Sequence, residues 1–151
     1  GNPDDRAPLI APLIDANLGV SSAGIEQLRR DPAGKYLGQW ALGSYLATRE
    51  IWPVPDAGNA LRTPVVTYVP TLFVHGDWDT STPIENSQRM IPLYPRSHLL
   101  TVNQGTHGAI HQLAEEHPQI MNRVLAFLRG GGFSGLPDRV AVAAPRFVPV
   151  D

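Results

Sequence analysis

The run PTLFVHGDWDTSTP, residues 70–83, decides the fold. Its first part, Thr71 to His75, is apolar on both faces, as a strand buried inside a parallel sheet should be, and it breaks abruptly at Gly76 and Asp77. Its last part reads as a helix start. Thr82 can cap, Pro83 suits the first helical position, and Glu85 can reach back to complete a capping box. The helix should fade at Pro92 or Pro95. A second strand, HLLTV, follows at His98 to Val102, and a loop from Asn103 to Gly108 comes after it. Short β-rich apolar runs alternating with helical patterns predict an α/β fold, a parallel sheet with crossover helices.

Working outward, Pro118 to Arg129 reads as the last helix, with Ile120, Met121, Val124, Leu125 and Leu128 on one stripe and Gly130 as its stop. In the tail, residues 131–151, the run RVAVAAPRFVPV allows a short edge strand interrupted by Pro145 and Pro149. Upstream, residues 8–50 are mostly helical in pattern: Ile25 and Leu28 share a face, and Tyr36, Leu37, Trp40, Leu42, Tyr45 and Leu46 carry a second stripe. Between these regions IWPVPDAGNALRTP, residues 51–64, reads as an extended connector, and a boundary is expected here.

Composition removes several function classes. At 151 residues the chain suits one compact domain, which would bury about two thirds of its unfolded surface. Apolar residues make up 42% and charged residues 17%, with a net charge of -2, which favours neither disorder nor a nucleic-acid partner. With no cysteine, thiol catalysis, disulfides and Cys-ligated zinc are excluded, and the redox compartment stays open. No run approaches the length a membrane span needs, so no membrane partner is implied. The opening GNPDDRAPLI lacks the regions of a signal peptide. It begins like a loop, which leads to the expectation that the sequence is cut from something longer.

Two residues stand out by position. Asp79 follows the first strand by four residues and His107 follows the second by five. Both belong to loops at strand carboxyl ends, where open parallel sheets bind ligands, and neighbouring strands lie only about 4.8 Å apart. A carboxylate beside an imidazole can fix the ring tautomer through Nδ1–H and leave Nε2 to take a proton from a nucleophile. Taken alone, Asp79 also suits a turn or a helix cap, and His107 a tolerant loop position. Asp77 is the rival acid, although its place directly after Gly76 fits a turn brace through backbone N–H groups. His75 should be packed and hydrogen-bonded, and His98, His111 and His117 show no metal-like pairing. His107 and His111 have i, i+4 spacing but lack the Glu of H-E-x-x-H. Trp78 can line a pocket or pack, and Trp40 and Trp52 belong to lid or linker core.

PTLFVHGDWDTSTP, followed 28 residues after Asp79 by the His of QGTHG, resembles the end of the α/β-hydrolase fold, whose triad runs Ser, acid, His along the chain. The closer likeness is to the tripeptidyl-aminopeptidase and proline-iminopeptidase-like branch, through Trp52 and Pro53, the HGDWDTSTP form, the ENSQRM helix and the trailing GLPDRV. The resemblance implies a C-terminal portion of an α/β-hydrolase: a helical lid remnant at 1–50, a connector at 51–70, a core segment at 71–130 and a tail at 131–151. It implies Asp79 as triad acid, His107 as general base, no cofactor, and a small peptide or ester substrate, with peptide amides at a free N-terminus favoured. It also allows a secreted or periplasmic location.

The family's G-x-S-x-G is absent. The nearest run is GVSSA, Gly19 to Ala23. The preceding LIDANL carries Asp15 and Asn17 where a buried strand should be apolar, and the 58 residues from Ser21 to Asp79 are too few for the intervening strands and lid. The nucleophile is therefore expected on an N-terminal hydrolase half, covalently upstream or on a separate chain. In the second case the chain would be a non-catalytic subunit completing a hydrolase; in both cases the other half is expected to cover the apolar sheet edge at Thr71 to His75, which would otherwise lie unpaired.

Overall fold

The computed structural model describes residues 26, 27, 29–32, 34–37, 63–144 and 146. The chain divides into two compact units, Gly1–Pro64 and Val65–Asp151. The division falls inside the proline-rich connector. Most of the expected lid remnant, including Ser21 and Trp40, lies outside the described residues, as do Trp52 of the connector and Pro145 and Pro149 of the tail. Within the first unit, Gly34–Leu37 forms one helical turn, and Glu26 pairs with Arg30 at 2.9 Å across one turn of helix.

The second unit is built on three parallel strands in the order β1-β2-β3: β1, Thr71–Gly76; β2, Ser97–Asn103; β3, Arg139–Ala141. Thr71 pairs with Ser97 and the register continues to Gly76 opposite Val102; Thr101 then pairs with Arg139. Helix α1, Ile84–Met90, and a 3₁₀ turn, Ile91–Leu93, connect β1 to β2. Helices α2, Ala109–Glu116, and α3, Pro118–Ala126, connect β2 to β3.

Alternate residues of the central strand build the core. Leu100 and Val102 share one face of β2 and are fully buried. Leu100 packs with Leu113 of α2 and Val124 of α3, while Val102 packs with Ala109 and Val142. Ala109 and Leu113 stand at i, i+4, so α2 turns one narrow apolar stripe to the sheet. Helix α2 falls between the predicted loop and the predicted last helix. Its stripe of only two buried residues is too short to stand out as periodicity.

Helix α3 starts at Pro118 as expected, but its regular turns stop at Ala126. The chain continues through Phe127–Gly131 with a kink at Gly130, φ +91°. This positive φ is the conformation that favours glycine. Leu128, expected on the apolar stripe, is 71% exposed. Phe127 instead stacks on Phe133 at 5.1 Å, and Phe133 stacks in turn on His98.

The tail is fastened by its backbone. His98 Nε2 donates to the Pro137 carbonyl at 3.0 Å, His117 Nε2 donates to the Ala141 carbonyl at 2.7 Å, and Glu116 accepts the Ala143 amide at 2.7 Å. These bonds hold β3 against β2, where Val140 and Val142 close the core. Leu113 is fully buried among these elements, so Leu113→Ala is expected to lower unfolding free energy by about 2–5 kcal/mol. Urea denaturation followed by circular dichroism measures it, and a loss below about 1 kcal/mol would show that α2 is not part of the cooperative core.

Candidate active site

The carboxyl ends of β1 and β2 lie side by side, and the loops that leave them touch. Gly76 lets the loops approach, and Gly105 lets the second loop fold back on its own strand. A Cβ placed on Gly76 would land on the Gly105 carbonyl, and one on Gly105 would come within 2.8 Å of Val102 Cγ1. The contact is fixed by backbone bonds: Asp77 N–H donates to the Val102 carbonyl at 3.1 Å and Trp78 N–H to the Gly105 carbonyl at 2.9 Å. Gln104 adopts φ +64° at this crossing, a left-handed conformation that costs a side-chain-bearing residue about 1 kcal/mol. Its amide donates to Asp77 Oδ1 at 2.6 Å. Asp77 therefore braces the turn through a backbone N–H, as its position implied.

Asp79 sits in the pocket formed beyond this crossing and is 8% exposed. Its Oδ1 accepts the amides of Ser81 and Thr82, each at 2.9 Å. Its Oδ2 accepts the Thr82 hydroxyl at 2.7 Å and His107 Nδ1–H at 3.0 Å. The two meanings the sequence allowed for Asp79, turn brace and partner of an imidazole, are thus met by different oxygens of one carboxylate. The expected cap is corrected here. Helix α1 starts after Pro83 with no side-chain cap bond, because the Thr82 hydroxyl is committed to Asp79, and no capping box forms.

The Thr82 amide is the main cause that holds the Asp79 carboxyl well below the usual aspartate range. Desolvation pushes it upward, and the Thr82 hydroxyl, His107 and the Ser81 amide add to the lowering. His107 lies on the other side of the contact, its side chain 67% exposed while that of Asp79 is only 6% exposed. Facing a carboxylate, Nδ1 carries the ring proton, so in the neutral ring Nε2 holds a lone pair. Nε2 has no hydrogen-bond partner among the described residues. The pair borders a cleft of about 240 Å³, lined also by Val74, His75, Thr82, Thr106, Ala109 and Ile110. The Gln112 side chain on α2 accepts the Thr106 amide and hydroxyl, at 2.9 and 3.2 Å, steadying the residue before His107.

The structure thus brings Asp79 and His107 together and sends Asp77 to the neighbouring loop. His75 is hydrogen-bonded through both ring nitrogens. Trp78 is 44% exposed. The close approach at Gly76 and Gly105 and the support from Gln112 have no mark in the sequence beyond the glycines of HGD and QGT. Among the described residues no cluster of three or more His, Asp or Glu forms a metal-ligand set, and no helix is long and apolar enough to cross a membrane.

A family model described as TAP-like protein matches residues 29–138. No curated protein and no solved structure matches the chain.

A depressed folded pKa has a defined sign in stability. Asp79 contributes stability that is fully present above the unfolded value of about 3.9 and is lost as pH falls through the lower folded value. Asp79→Asn is therefore expected to lower the urea midpoint at neutral pH, with the gap from the parent protein narrowing as pH falls from about 5 to about 2. A gap that stays constant over that span contradicts the ionised, hydrogen-bonded state of Asp79.

Proposed function

The chain belongs to the TAP-like branch of the α/β-hydrolases, and from that premise we propose that it carries the acid and the general base of a serine hydrolase. The observation that carries this reading is the 3.0 Å bond from His107 Nδ1 to a buried Asp79, with Nε2 left without a partner among the described residues beside an open cleft. In this reading Nε2 takes the proton from a serine hydroxyl as its oxygen bonds to the substrate carbonyl carbon. The resulting imidazolium is stabilised by Asp79 and hands the proton to the leaving amine as the C–N bond breaks. Water then enters by the same proton path and releases the acid product.

The low pKa of Asp79 suits this role. A carboxylate held ionised by backbone amides supports the imidazolium without taking its proton, so the proton stays on the ring for delivery. The serine is supplied by sequence beyond these 151 residues, since no G-x-S-x-G occurs among them. The substrate class that the family likeness favours is a peptide amide at a free N-terminus.

Three outcomes are expected. The 151-residue chain alone should not turn over aminoacyl p-nitroanilides or p-nitrophenyl esters. In the protein that includes the nucleophile, His107→Ala should leave less than about a tenth of kcat/KM. Asp79→Asn should cost far more activity than Asp77→Asn. Activity of the chain alone that vanishes in Ser21→Ala would relocate the nucleophile, and a larger loss in Asp77→Asn would relocate the acid.

A further inference from the structure

A second imidazole faces the same carboxylate. His75, the fifth residue of β1, has a side chain only 13% exposed, and its Nε2 lies 2.6 Å from the Thr82 carbonyl and 3.5 Å from Asp79 Oδ2. Both neighbours are acceptors, so Nε2 must carry hydrogen. On its other edge Nδ1 lies 2.7 Å from Ser87 Oγ on α1. The Thr82 carbonyl and Asp79 therefore set the tautomer, and in the neutral ring Nδ1 accepts the Ser87 hydroxyl, which holds the ring in place. The opposite tautomer would turn a lone pair toward a carbonyl and a carboxylate at once.

We infer that His75, its ring anchored on one side by Ser87 and on the other by the Thr82 carbonyl, is a positioning residue for the Asp79–His107 pair. It acts through Thr82. That residue gives both its amide and its hydroxyl to Asp79, and its Oγ1 lies 3.3 Å from His107 Nδ1. Anchoring the Thr82 carbonyl to His75 aims these two donors together, and with them the oxygen that His107 uses. A continuous path therefore runs from Ser87 on α1 through His75 on β1 and the Thr82 loop to the outward imidazole. Thr82 cannot swing to cap α1 without breaking it.

This inference rests on the proposed base role of His107, and the test separates the two. In the full chain with 15N-labelled histidine, NMR reports whether the His107 proton resides on Nδ1 or Nε2, without any turnover. His75→Leu and Ser87→Ala are expected to reduce the Nδ1–H form of His107. His75→Gln, which keeps a donor for Thr82 and an acceptor for Ser87, is expected to retain it. In the nucleophile-bearing protein His75→Leu should lower kcat about tenfold to a hundredfold with KM nearly unchanged, as small misplacements of catalytic groups do, and His75→Gln should recover most of that loss. If His75→Leu does not fold, Ser87→Ala and His75→Gln decide the matter through the same resonances. Wild-type His107 signals in Ser87→Ala, or a folded His75→Gln no better than His75→Leu, overturn the inference. Asp79→Asn is the control for the base role itself: if it leaves the His107 tautomer unchanged, the acid–base pair falls and not merely the part of His75.

Discussion

Four hydrogen-bond donors converge on one nearly buried carboxylate, and the local architecture follows from the need to satisfy it. Asp79 is largely shielded by the protein, and its N–H and O–H donors keep it ionised. A charge in such a place is tolerated only while its partners stay in position. That requirement shapes the 79–82 loop, withdraws Thr82 from the helix it precedes, and turns the His107 ring so that one nitrogen faces inward. Turn geometry and acid–base geometry are therefore one structure. Any change that loosens the loop also disturbs the imidazole.

The loops meet because Gly76 lets one backbone approach the other closer than a side chain would permit, because Gly105 lets the second loop fold back on Val102, and because Asp77 stabilises the unfavourable twist at Gln104. Neighbouring carboxylates two residues apart thus divide the labour. Asp77 holds one loop to the other, and Asp79 holds its own loop and the histidine. In sequence they are nearly interchangeable. In space their oxygens face different backbones.

The strands at 71–76 and 97–103 were legible because runs of apolar residues bounded by Gly and polar turns have few other uses. Order and spacing within PTLFVHGDWDTSTP and QGTHG singled out Asp79 and His107. Helix α2 was not legible, because its apolar stripe is two residues long. Thr82 was misread because a threonine before Pro and Glu carries the local mark of a cap, and only tertiary contact shows where its hydroxyl goes. Leu128 has the spacing of the stripe, yet it stands in the last turn before Gly130 and is exposed. The pairings of His98 and His117 had no sequence signal, since each donates to a distant main-chain carbonyl that any residue could supply.

That last feature has a consequence for how the tail can vary. From Pro137 to Ala143 the chain is tied down through carbonyls and amides: Pro137 to His98, Asp138 to the Thr101 amide, Ala141 to His117, Ala143 to Glu116. Such ties ignore which side chain is present but depend on how many residues lie between them. The segment should accept broad changes of composition at its exposed positions, yet losing or gaining a single residue would put every later tie out of phase and move Val140 and Val142 off the core together. The C-terminal region counts residues rather than choosing them.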